Sequence, residues 1–191
     1  MDTQDSVLNI GFYLQASEPR HRPVLNPDVE DLGEAIEEVF VFPTEQAFIC
    51  WEGNRIPLCY KYDISVIITE LIEMLEHVTQ KAEGSYCAIW SSDTFRGKWE
   101  LTWASHMVSV EATWDELSGG LLESLNRSIR NLKLPIHNFI SEWRRPLAQV
   151  YEALTAAGYI QDQLEDLGRL ERLIDCIPSE GLLYRDNTSV S

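Results

Sequence analysis

Ala47-Phe48-Ile49-Cys50-Trp51-Glu52-Gly53-Asn54-Arg55-Ile56-Pro57-Leu58-Cys59-Tyr60-Lys61-Tyr62-Asp63 is the stretch that decides the fold. Gly53-Asn54 suits a two-residue turn, so residues 47–62 read as a β-hairpin. Pairing about that turn sets Trp51 opposite Ile56, Ile49 opposite Leu58 and Ala47 opposite Tyr60. That face is uniformly apolar, which specifies the register, because a one-residue slip would turn all of it to water. Pro57 has no N–H to give a ladder, so its strand is expected at an edge or irregular. Asp63 then stands where a cap is needed for a helix over residues 64–82. Its buried face is Ile64, Ile67, Ile68, Leu71, Ile72, Leu75 and Val78.

Upstream, Leu8, Ile10, Phe12 and Leu14 share one face of a strand over 7–15. After a proline-containing loop, Pro27 to Phe40 reads as a helix with Asn26 as N-cap and Val29, Leu32, Ile36, Val39 and Phe40 as its apolar stripe. Downstream, Tyr86 to Trp90 is apolar on both faces, as a central strand would be. Trp99, Leu101 and Trp103 alternate with polar residues, as do Val108, Val110, Ala112 and Trp114, and a turn at Ser105-His106 would pair these two strands. Leu121 to Leu132 and Ile136 to Leu154 carry helical stripes, the second with Pro146 placed to kink or split it. Asp162 and Glu165 fit a capping box for a last helix through Ile174.

The resulting order, β-α-β-β-α-β-β-β-α-α-α, defines an α+β fold: an antiparallel sheet packed by helices, with a helical C-terminal layer. One α+β domain is expected over 1–177, with 178–191 a frayed tail. A chain of 191 residues is long enough for a sizeable core.

Charge is the second signal. Acidic residues outnumber basic ones 31 to 15, a formal net charge of −16. Residues 1–50 hold ten acids and two arginines, whereas residues 101–150 hold five of each sign. No Lys or Arg occurs from Pro23 to Asn54. Such a balance argues against binding nucleic acid or anionic lipid, which both want clustered cations. No apolar run approaches the ~20 residues of a membrane span, and an acidic N-terminus is unlike a secretory signal. Cys50, Cys59, Cys87 and Cys176 contain no C-x-x-C pair and sit among apolar neighbours. Buried free thiols in a reducing, cytoplasmic setting are therefore expected.

Catalytic motifs are not found. His21, His77, His106 and His137 are scattered. Glu73 and His77 share a helix face and could offer two metal ligands, but an i,i+4 pair on a solvated face explains them as well. Gly119-Gly120 precedes a helix without the lysine of a phosphate loop, which suits a plain joint. The expectation is a protein that is not an enzyme and takes no cofactor or metal.

The hairpin and helix just quoted, Gly53-Asn54-Arg55-Ile56-Pro57-Leu58-Cys59-Tyr60-Lys61-Tyr62-Asp63 and onward to Leu71, resemble those of bacterial polymorphic-toxin immunity proteins. The resemblance spans about residues 45–145. It implies a protein that binds and sterically blocks a toxin delivered between neighbouring bacteria, and it carries no catalytic residues to transfer.

Together these readings lead to an immunity protein whose cognate toxin is basic and nuclease-like, with carboxylates standing in for phosphates. The expected contact set is Glu30, Asp31, Glu34, Glu37, Glu38 and Glu45, with Trp51 as an anchor and Glu52 beside it. Core packing is the competing reading for Trp51, and a merely solvated helix face for the acids. A chaperone or adaptor for a secreted effector, and a small enzyme built from dispersed residues, are the alternative functions. The oligomeric state is left open.

Overall fold

The structure is a computed structural model that describes residues 11–17, 20, 22, 24–127 and 131–178. The α+β expectation holds, with the strands divided between two antiparallel sheets. The first contains β1 (Phe12–Ala16), β2 (Gln46–Trp51) and β3 (Asn54–Cys59), in that order. The second contains β4 (Gly84–Ser91), β5 (Phe95–Ala104), β6 (Met107–Leu117) and β7 (Asn131–Pro135). The helices are α1 (Leu32–Val39), α2 (Ser65–Gln80), α3 (Leu122–Arg127), α4 (Ile136–Ala157) and α5 (Glu165–Cys176). Residues 7–10 of the expected first strand, and all of the expected tail except Pro178, lie outside the described residues.

The hairpin forms, with its turn one residue earlier than expected. Glu52 and Gly53, at φ 46° and 80°, make the turn, and the register becomes Trp51↔Asn54, Ile49↔Ile56 and Ala47↔Leu58. The partners shift by two positions, so every side chain keeps its face, and Ala47, Ile49, Trp51, Ile56 and Leu58 are all fully buried. Asn54 is used differently from the expectation: its side-chain amide donates to the Trp51 carbonyl at 3.3 Å. Pro57 lies on an edge strand, as its missing donor requires.

Asp63 does not stand at the helix start as a simple cap. Tyr60–Ile64 form a π-helical turn that runs into α2. Asp63 is buried within it, where Oδ2 accepts the Cys59 N–H at 2.8 Å and Oδ1 accepts the hydroxyls of Ser92 and Thr94. One carboxylate thus ties the hairpin–helix junction to the β4–β5 connection.

Three further expectations change. β4 is an edge strand, not a central one, and Ile89 is half exposed. The Glu70 carboxylate on α2 accepts the outward Ile89 N–H at 3.3 Å and so covers that edge, as Glu142 on α4 does for Leu14 of β1 at 2.8 Å. Leu132 belongs to β7 rather than to a helix, because Leu132 and Leu134 alternate inward against β6. α4 continues through Pro146, which removes one donor while Phe139, Trp143, Leu147 and Val150 stay packed in the core.

An aromatic block joins the two sheets. Trp99 of β5 lies 5.3 Å from Trp51, 5.1 Å from Trp90, 5.8 Å from Trp114 and 6.3 Å from Trp143, measured between ring centroids. Phe12 of β1 stacks on Phe139 of α4 at 5.3 Å. The Trp90 and Trp99 rings meet edge to face, an arrangement aromatic quadrupoles favour. One apolar cluster therefore runs from α1 through both sheets to α5.

Candidate functional site

The acidic segment is built on α1, which starts later than its proline suggests. Asn26 Oδ1 accepts the Asp28 N–H at 3.1 Å and makes a turn there. Asp31 is the true N-cap: its side chain accepts the Glu34 N–H at 2.8 Å, while Glu34 Oε2 reaches back to the Glu30 N–H at 3.0 Å. Two of the expected contact acids are thus occupied in starting the helix. Leu32, Ala35, Ile36 and Val39 bury the opposite stripe, and Gly33 lets α1 approach α2 so closely that a Cβ would sit 2.7 Å from the Ser65 carbonyl oxygen. Phe40 stacks on Tyr60 at 4.7 Å and fixes the helix end.

With that stripe pinned, Glu30, Asp31, Glu34, Glu37 and Glu38 all face solvent. None of them makes an ion pair with a Lys or Arg among the described residues. Among the described residues, Glu38 accepts only the Asn26 side-chain amide, at 3.3 Å. Glu37 and Glu38 occupy the last turn, which holds no basic residue. Carboxylates there oppose the helix dipole, and Glu34/Glu38 are a like-charge pair at i,i+4, unfavourable by about 0.2–0.5 kcal/mol.

The rest of the expected contact set does not join this surface. Trp51 is fully buried, 6.0 Å from Phe12 and 5.7 Å from Trp114, so it is a core residue and no surface anchor. β2 alternates, and the side that carries Ala47 and Ile49 inward carries Trp51 with them. Glu52 is exposed in the hairpin turn, where its N–H donates to the Gly11 carbonyl at 2.7 Å. It lies at the opposite end of β2 from Glu45, roughly 20 Å away at about 3.3 Å per residue. Glu45 does not stand on that face either: it is set back from the surface, only 5% exposed. Its Oε2 accepts the Phe42 N–H at 3.0 Å, and its Oε1 is buried without a partner among the described residues. An unsatisfied buried polar atom costs about 1–3 kcal/mol.

Glu45 lines a cavity of about 290 Å³ with Ser17, Arg20, Phe42 and Thr44. Phe42 is half exposed, and sequence periodicity passes over it because Val41-Phe42-Pro43-Thr44 belongs to neither helix nor strand. The readable signal was a large aromatic beside a proline in the short connection between α1 and β2.

The other candidates resolve plainly. His77 Nδ1 lies 2.9 Å from the Glu73 carbonyl oxygen and its ring packs on Tyr86 at 4.8 Å, so the helix-face pair is occupied locally. No group of three or more His, Cys, Asp or Glu is placed to hold a metal among the described residues. All four cysteines are free thiols; Cys50 and Cys59 are buried, but Cys87 and Cys176 are exposed, against expectation. Cys87 faces outward on edge strand β4 and Cys176 on the last turn of α5. Burial pushes the Cys59 thiol up, and the neighbouring Asp63 and Glu45 charges add to this against backbone N–H donors from Tyr62 and Lys61. A thiol so held is a poor nucleophile. No described helix is long and apolar enough to cross a membrane. Compared with protein-family profiles, curated proteins and solved structures, the chain finds no match.

Proposed function

We propose that this chain is an inhibitor of the immunity type, which binds and sterically blocks a cognate basic, nuclease-like toxin through the exposed face of α1. The observation that carries the reading is the uncompensated field of Glu30, Glu34, Glu37 and Glu38: exposed carboxylates, some set against the helix dipole, with no cation paired to them among the described residues. A surface arranged only for solubility mixes signs. A one-sign face steers a cationic partner and raises association rates ~10–10³-fold at low salt. Cytoplasmic action and the absence of catalysis belong to the same proposal.

Reversing Asp31 or Glu34 would test the wrong thing, because both hold the helix start. The informative variant is Glu30→Gln/Glu37→Gln/Glu38→Gln, which removes three charges and leaves the cap. The wild-type chain should capture one basic protein stoichiometrically from its native host at 50 mM salt and much less at 300 mM. That protein expressed alone should arrest growth. Co-expression of the wild-type chain should restore growth, and the triple variant should not. Equal protection by both chains would remove α1 from the interface, and a captured protein without a basic surface would end the proposal. An effector adaptor would instead bind an isolated peptide with weak salt dependence.

A further inference from the structure

We infer that the cavity lined by Ser17, Arg20, Phe42, Thr44 and Glu45 takes a guanidinium group, the side chain of an arginine on a protein partner. Glu45 is fixed in place from both sides: its N–H donates to the Phe42 carbonyl at 3.1 Å, and its carbonyl accepts the Tyr60 N–H at 2.9 Å. With Oε2 occupied by the Phe42 N–H, Oε1 is a buried carboxylate oxygen that accepts nothing among the described residues. Oε1 has almost no surface of its own, so a donor from outside satisfies it once the Glu45 side chain turns toward the cavity, and a cationic donor would draw it out most strongly. Ser17 and Thr44 also line the cavity, and a hydroxyl oxygen can accept an N–H even when, as at Ser17, its own proton is given to the Gln46 carbonyl. Phe42, 51% exposed, offers a ring face to a planar cation. Guanidinium is favoured over ammonium because it is weakly hydrated, stacks on aromatic faces and presents several donors at once. Arg20 is the chain's own cation at this cavity, yet it makes no ion pair with Glu45 among the described residues. It is the internal rival that an incoming arginine meets.

Phe42, in the cavity lining, follows shortly after the end of α1, whose last turn carries Glu37 and Glu38. That the arginine belongs to the basic partner drawn by α1 rests on the function proposed above. That the cavity accepts a guanidinium does not.

The test uses the full chain, ¹⁵N-labelled, titrated with methylguanidinium chloride at constant ionic strength. Saturable shifts are expected at the Phe42, Thr44 and Glu45 amides, with a low-millimolar midpoint. Glu45→Gln should weaken binding at least tenfold, Phe42→Ala several-fold, and Arg20→Ala should tighten it. Phe42 is exposed, so its variant remains informative if Glu45→Gln fails to fold. No saturable shift in either the wild type or Arg20→Ala overturns the inference, leaving a cavity that holds water. Shifts that grow linearly over the whole surface overturn it too. Methylammonium binding as tightly would overturn the assignment to guanidinium. If the probe binds while the α1 triple variant still protects cells, the cavity stands and the α1 interface falls. If the toxin is captured but the probe shifts nothing, only the cavity is lost.

Discussion

Helices α1 and α5 are both acidic amphipathic helices, and they use their carboxylates in opposite ways. In α5, Arg169 sits between Glu76 of α2 and Asp166 of its own first turn, at 2.7 and 2.8 Å. Glu171 accepts the Tyr151 hydroxyl at 2.6 Å and the Gln161 amide at 2.6 Å. Those carboxylates join α5 to α2 and α4. In α1, Asp31 and Glu34 serve only their own helix start, and Glu30, Glu37 and Glu38 bind nothing cationic among the described residues. Net acidity alone therefore says little. Where the acids are knit into the packing they are part of the fold, and where they are left bare beside the dipole's negative end they need another reason.

The largest effect expected from this contrast is in α5. Arg169 is 27% exposed in its side chain, between the surface and buried regimes. Exposed pairs contribute up to about 1 kcal/mol, and breaking buried ones costs about 3–5. Arg169→Ala should thus destabilise by about 2 kcal/mol, read as a lower urea midpoint at unchanged slope. An unchanged midpoint would make the α5 charges as idle as those of α1 and erase the distinction. Next comes Asp31→Ala, expected to cost about 1 kcal/mol through the lost N-cap, while Asp31→Asn should lose far less because an amide oxygen caps nearly as well. If the two variants behave alike, Asp31 acts through charge rather than through its bond to the Glu34 N–H.

The sequence carried the periodic parts of this molecule and missed what depends on a third dimension. Ile49, Trp51, Ile56 and Leu58 share a face under either turn, since strands repeat every two residues, so the hairpin was legible although its turn was misplaced. The split into two sheets was not, because nothing in Trp99 or Trp114 says which sheet Trp51 faces across the core. β7 was hidden for a related reason: Leu132 extends the helical stripe that starts at Leu121 until β6 is there to pair with it. In the candidate site, the bare face of α1 was legible from a run with no Lys or Arg. Trp51 was misread as a surface anchor because a tryptophan beside a turn is exposed or buried according to what packs over it. The Glu45 cavity needed β1 and the post-helix segment brought together, which no local pattern encodes.

The smallest expected effect bears most directly on what α1 is for. Glu37→Gln/Glu38→Gln removes two charges from the last turn of a helix that has no base there, and the amide oxygen that replaces the Glu38 carboxylate can still accept from the Asn26 side chain. Both the dipole term and the Glu34/Glu38 repulsion are relieved, so stability should change by no more than about 0.5 kcal/mol, on the stabilising side. Salt dependence reads the sign independently. At 0.15 M the screening length is about 8 Å, so added salt should narrow the gap between wild type and variant by relieving the wild type. A fold that becomes more stable when these charges are removed has kept them for a purpose other than its own stability. If the double variant is instead clearly less stable, Glu37 and Glu38 are holding α1 in place like their counterparts in α5, and the case for a partner at that face loses its physical ground.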